Sequence, residues 1–193
     1  YPELMALDIP ATPWLVDSLI PAAGITVLGG KRATFKTSVA AAIALALGTG
    51  QTFLGIFTTQ KNKVFFVDEE MGLFLLRNRV EQLAKGHGIE NPDIFFSSLN
   101  SIRVEDFEKI IEQHKPALIV VDSWRRITTC DENDAGEVAM FFSKLRELTG
   151  KYGTAWLLLH HARKDPPIKV RESDEMDTLR GSSEIANNAD VVI

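Results

Sequence analysis

Four apolar runs, Gly24–Leu28, Lys63–Val67, Ala117–Val121 and Trp156–His160, place branched and aromatic side chains on consecutive rather than alternate positions. A strand with one wet face alternates apolar and polar residues, so a strand apolar on both faces has to be covered on both. The covers are legible between the runs. Ser38–Leu47 is Ala-rich and reads as a buried helix, and Leu73, Leu76, Val80 and Leu83 recur at helical spacing over about 72–85. Val104–Gln113 forms a further amphipathic segment, and Val138, Phe141, Phe142, Leu145 and Leu148 predict a helix over Val138–Thr149. Ile94-Phe95-Phe96 adds a short strand. Strands alternating with helices predict an α/β fold with a mainly parallel central sheet and helices on both faces.

The chain of 193 residues is long enough for one such domain, spanning 1–193. Residues 1–22, with Pro2, Pro10, Pro13 and Pro21, read as an extended lead-in that packs through Trp14-Leu15-Val16. Because the chain starts at Tyr1 and stops in the apolar Val191-Val192-Ile193, it is expected to be a piece of a longer polypeptide. The longest apolar run, Val39–Leu47, is far shorter than the roughly 18 residues of a membrane span, so no membrane partner is expected. A single cysteine, Cys130, excludes an intrachain disulfide framework and suits a reducing cytoplasm, nucleoid or plasmid association included. The net charge of −5 argues against a surface that clings to nucleic acid everywhere, leaving room only for a local basic patch.

The first strand runs into Gly30-Lys31-Arg32-Ala33-Thr34-Phe35-Lys36-Thr37-Ser38 and then the Ala-rich helix. Strand, glycine-bearing loop, Lys-Thr and helix is the context of a phosphate-binding loop. Backbone N–H groups of the loop and of the helix start would face the phosphates, where the helix dipole favours negative charge. Lys36 would reach the β- and γ-phosphates of ATP, and the Thr37 hydroxyl would ligate Mg²⁺. Phe35 stands where glycine is usual, a position at which close approach and unusual dihedrals favour a residue without Cβ.

In an open α/β sheet, ligands bind beyond the carboxyl ends of the strands. Three strands end there in reactive groups: 117–121 in Asp122, 63–67 in Asp68-Glu69-Glu70, and 156–160 in His160-His161. Asp122 beside such a loop would hold Mg²⁺ directly or through water, and a carboxylate of the acidic trio would orient and deprotonate the attacking water. A histidine at the third strand end would feel the γ-phosphate.

With these residues in view, the chain resembles the RecA-like ATPases, and among them the RepA-type hexameric plasmid helicases and the related DnaB-like replicative helicases. Trp14–Pro21 is similar to that group's lead-in, and Val67-Asp68-Glu69-Glu70-Met71 to its catalytic-glutamate strand end. Leu159-His160-His161-Ala162-Arg163-Lys164 resembles its His-His sensor, and Leu179–Ile185 with Ala189–Ile193 the segment before its last core strands. The resemblance implies a RecA-like P-loop core, Glu70 as first choice of base and Glu69 as second, His161 at the sensing position and Arg79 stacking on adenine. It further implies a homo-oligomeric ring, a hexamer in the RepA-type case, whose pore loops bind single-stranded DNA. Those loops carry Trp124, Arg125 and Arg126 after the Asp122 strand, and Arg163, Lys164, Lys169 and Arg171 after the His161 strand. Basic groups with an aromatic for stacking suit a single strand. The group's arginine finger would lie past Ile193, so the isolated chain is expected to turn ATP over slowly. Three functions stay open at this level: a DNA motor in plasmid, phage or chromosomal replication, a non-motor switch of the KaiC or RadA kind acting on protein partners or in DNA repair, and a binding module that does not hydrolyse nucleotide.

Overall fold

A computed structural model describes residues 13–98, 101–131, 134–161 and 182–193. The strands are β1 (Trp14–Val16), β2 (Ile20–Pro21), β3 (Ile25–Gly30), β4 (Val64–Asp68), β5 (Ile94–Ser98), β6 (Leu118–Asp122), β7 (Ala155–His161) and β8 (Val191–Val192). The α-helices are α1 (Lys36–Thr49), α2 (Leu73–His87), α3 (Phe107–His114), α4 (Trp124–Ile127), α5 (Ala135–Tyr152) and α6 (Ser182–Asn188), with a 3₁₀ turn at Val104–Asp106. Among the described residues, six strands form one sheet in the order β5-β4-β6-β7-β3-β8, and every pairing in it is parallel.

Alternation along each strand splits the core in two. Leu118 and Val120 of β6 face one layer and Ile119 and Val121 the other, as a period of two requires. The first layer holds α1, Leu76 of α2, the β1–β2 hairpin and Phe53. The second holds Phe107 and Ile111 of α3, Trp124 and Ile127 of α4, the apolar face of α5, and Ile185 of α6. Chain direction explains the split. Connections that step from β3 to β4 and on to β5 travel one way along the sheet and carry α1 and α2. Those from β5 back through β6, β7 and β8 travel the other way and carry α3 to α6. A single handedness of parallel crossover puts the two sets on opposite faces.

Helix α1 is buried nearly all round, from Lys36 and Ala40 to Leu47 and Gly48. Small residues let it lie close to the sheet, and a Cβ on Gly48 would come 2.9 Å from Ile94. The helix runs one residue past Gly48 and ends at Gly50, whose φ of 79° and N–H bond to the Ala46 carbonyl close the last turn. The lead-in, expected to be extended, instead doubles back as the antiparallel β1–β2 pair, with Val16 and Ile20 fully buried.

Strand register brings the polar ends level. Asp68 pairs with Asp122 on one side and Ser98 on the other, and Gly30 pairs with His161. The chemistry-bearing ends of β3, β4, β6 and β7 therefore share one edge of the sheet.

Candidate active site

The loop between β3 and α1 is built without a side-chain cap. Phe35, at the helix entry, has φ 61° and ψ 17°, and Ala33 has φ 62°. No acidic residue occupies the first turn of α1, so its free N–H groups and positive dipole end face the loop. Thr34 Oγ1 donates to the Lys31 carbonyl at 2.7 Å, and a Cβ on Gly30 would sit 2.9 Å from that hydroxyl oxygen. Phe35 holds the left-handed conformation that glycine adopts freely, and its ring stands out into solvent at 75% exposure. The departure from glycine is thus accommodated by strain at one residue, with no atom of the ring in the core.

Lys36 curls into the loop, its ammonium donating to the carbonyls of Gly30 and Lys31 at 2.9 and 2.8 Å. Burial lowers its pKa, opposed by the charges of Asp122 and Glu70. Thr37 Oγ1 donates to Asp122 Oδ2 at 2.5 Å. The Asp122 carboxyl, 2% exposed, is pushed up to about 6 by burial, with Glu70 and Asp68 adding to the shift and the Thr37 hydrogen bond and His161 opposing it. A hydroxyl and an under-compensated carboxylate, both hard oxygen donors, form a pair that suits Mg²⁺ and would gain from its charge.

The three consecutive acids at the end of β4 divide their work. Asp68, fully buried, accepts the backbone N–H groups of Glu70, Met71 and Gly72 at 3.1, 2.9 and 2.9 Å and the Ser98 hydroxyl at 3.1 Å. Glu69 accepts the N–H groups of Ser101 and Ile102 at 3.2 and 3.3 Å, while its own N–H donates to the Asp122 carbonyl at 2.7 Å. Both carboxylates are thereby spent on backbone. As second choice of base, Glu69 is placed away from the loop, because the turn tied by Asp68 directs it toward the chain after β5. Glu70 alone of the three is near enough to Lys36 and Asp122 to perturb both, and its oxygens lie 3.2 and 3.3 Å from His161 Nε2.

The two histidines point to opposite faces. His160, 1% exposed, accepts from the Trp124 indole N–H at Nδ1, 2.8 Å away, whereas His161 meets Glu70. Trp124, expected as a stacking aromatic for DNA, is 1% exposed, with its ring against Phe141 and Phe142. That expectation is corrected: at the head of α4 the indole is a core residue. Arg125 and Arg126 beside it are exposed. On α2, Arg79 Nη1 donates to Met71 Sδ at 3.1 Å, next to Glu70 in sequence. Arg163, Lys164, Lys169 and Arg171 lie outside the described residues. The Trp124–His160 contact was missed in the sequence, although alternation along a strand already separates neighbours in a His-His pair.

A parallel sheet covered on both faces, with a Lys-Thr loop on one strand and carboxylates on two others, defines a P-loop ATPase fold of the RecA-like class. The chain belongs to the AAA domain family, whose model matches residues 3–167. Among solved structures it is similar in fold to the ATPase domain of a DnaB-like replicative helicase, with a TM-score of 0.69 at 13% identity over 100% of this chain and 78% of that one. No curated protein sequence matches it. Among the described residues, no helix is long and apolar enough to cross a membrane.

Proposed function

We propose that this domain binds ATP in the Gly30–Ser38 loop and hydrolyses it as the motor core of an oligomeric DNA helicase or translocase. The observation that carries the reading is the meeting of Lys36, Thr37, Asp122, Glu70 and His161 at one sheet edge. The loop amides and Lys36 hold the β- and γ-phosphates, and Arg79 packs on the adenine. Thr37 and Asp122 hold Mg²⁺, which supplies charge neutralisation between the β- and γ-phosphate oxygens. Glu70 orients a water in line with the γ-phosphorus and accepts its proton as the new P–O bond forms and the bond to ADP breaks. His161, against Glu70, registers whether the γ-phosphate is present.

The motor part rests on the resemblance to RepA-type and DnaB-like helicases, on the fold shared with a solved helicase ATPase domain, and on the exposed Arg125 and Arg126 at the same sheet edge. In this reading the chain is a single domain of a longer cytoplasmic or nucleoid-associated protein, forms a ring of like copies, and acts on single-stranded DNA during replication. ATP turnover with and without single-stranded DNA tests it. Stimulation that disappears in Lys36→Ala supports the motor. Turnover indifferent to DNA favours a switch that acts on protein partners, and tight ATP binding with no turnover makes the domain a binding module.

A further inference from the structure

Resting on the reading of Glu70 as the water-orienting carboxylate, we propose that helix α4 is a lever on Glu70, so that single-stranded DNA held by Arg125 and Arg126 controls when Glu70 can act. The helix is only four residues long, yet both of its ends are tied to residues that flank Glu70.

The first tie runs through the indole. Trp124 Nε1–H donates to His160 Nδ1 at 2.8 Å, both groups are 1% exposed, and the indole is packed on Phe141 and Phe142 at ring distances of 5.1 and 6.5 Å. Accepting at Nδ1 makes His160 a neutral ring with its proton on Nε2. A buried pair of this kind moves together, because parting them would leave a donor and an acceptor without water. His160 and His161 are consecutive at the end of a strand, one on the α4–α5 face and the other on the α1 face, so a tilt of one swings the other. His161 Nε2 in turn reaches both oxygens of Glu70, at 3.3 and 3.2 Å. While that contact holds, the carboxylate is engaged by imidazole and is not available to a water.

The second tie runs through backbone. Arg103 Nη1 donates to the Arg126 carbonyl at 2.9 Å. The chain just before Arg103 is held by Glu69, which accepts from Ile102 and Ser101. Glu69 adjoins Glu70, and its N–H is fixed to the Asp122 carbonyl at 2.7 Å. Movement of α4 therefore reaches Glu70 from both strand ends, β7 and β4, while Arg125 and Arg126 project from the same helix into solvent. Trp124 and Arg103 act through other residues and are positioning residues.

The test uses Trp124→Phe, which keeps an aromatic ring on Phe141 and Phe142 and removes the indole N–H, with Arg103→Ala on the exposed second arm in case the first variant does not fold. Imidazole ¹⁵N spectra of His160 and His161 are recorded without nucleotide, and ATP affinity and turnover are measured with and without a single-stranded oligonucleotide. The expected result is a shift of both histidine signals, ATP and oligonucleotide affinities within about twofold of wild type, and a fold-stimulation by DNA that falls to near one. A role in packing alone would lower thermal stability without removing stimulation selectively. An unmoved His161 signal, or wild-type stimulation despite a shifted His160, overturns the lever. A moved His161 signal in a protein whose wild type is indifferent to DNA supports the coupling and overturns only the motor reading.

Discussion

Substituting Asp122 by asparagine should stabilise the protein when no nucleotide or metal is bound, and the gain should depend on pH. Asparagine keeps an oxygen to accept the Thr37 hydroxyl and removes a charge that is 2% exposed. Burial, reinforced by Glu70 and Asp68, moves this carboxyl from 3.8 to about 6. Between those values the folded protein keeps a proton that the unfolded chain has released. Stability therefore falls as pH rises through that window, and the penalty is complete above it. A displacement of about two units corresponds to about 3 kcal/mol. This is an upper bound, since the new amide needs a partner of its own and Lys36 loses an opposing charge. For a domain of this size each kcal/mol moves Tm by about 2–4 °C. Asp122→Asn should then melt up to about 6–12 °C above wild type at pH 8 and level with it near pH 4. Thermal unfolding of the metal-free protein at the two pH values measures this directly. A variant less stable than wild type at pH 8, or a gap of equal size at both pH values, would refute the argument that Asp122 is a carboxylate under electrostatic strain.

Phe35→Gly should relieve a left-handed residue, a gain of about 1–2 kcal/mol, offset by about 0.5–1 kcal/mol of added unfolded-state entropy. Urea unfolding should show a neutral to modestly more stable variant, and marked destabilisation would mean that the exposed ring contributes packing of its own. Replacing both Arg125 and Arg126 by alanine should weaken single-stranded DNA binding and flatten its dependence on log salt by about 1.4, two phosphate contacts at about 0.7 each. Salt titrations of fluorescent oligonucleotide binding would read that slope, and an unchanged slope would remove α4 from the DNA path. Lys36→Ala should abolish ATP binding measured by calorimetry while leaving the melting temperature of the nucleotide-free protein within a few degrees of wild type.

The parts of this fold that were legible in the sequence are those dictated by burial on two faces. Strands β3, β4, β6 and β7 and helices α1, α2 and α5 are found within about three residues of their expected ends, because consecutive apolar residues and a helical apolar period each have a single economical solution. The β1–β2 hairpin was not legible, since its pairing depends on a turn hidden among prolines rather than on a period. Nor was the division of labour at Asp68-Glu69-Glu70. Three adjacent carboxylates look alike in a sequence, and only the turn closed by Asp68 decides that Glu69 is held by the backbone of Ser101 and Ile102 while Glu70 meets His161. Trp124 misled for a related reason: next to two arginines an aromatic suggests stacking on a base, whereas a buried acceptor on the neighbouring strand, His160, takes its N–H.

The central claim, that this sheet edge hydrolyses ATP with Glu70 as the residue that orients water, is tested most directly by comparing ATP turnover and ATP affinity in wild type and Glu70→Gln. The side chains are nearly the same size, so the substitution removes the proton acceptor and little else. Wild type should turn over ATP, and Glu70→Gln should bind it as tightly with turnover reduced by about 10²–10⁴-fold, the usual contribution of a positioned general base. Turnover retained in Glu70→Gln would contradict the account and require another group at this edge to carry the water.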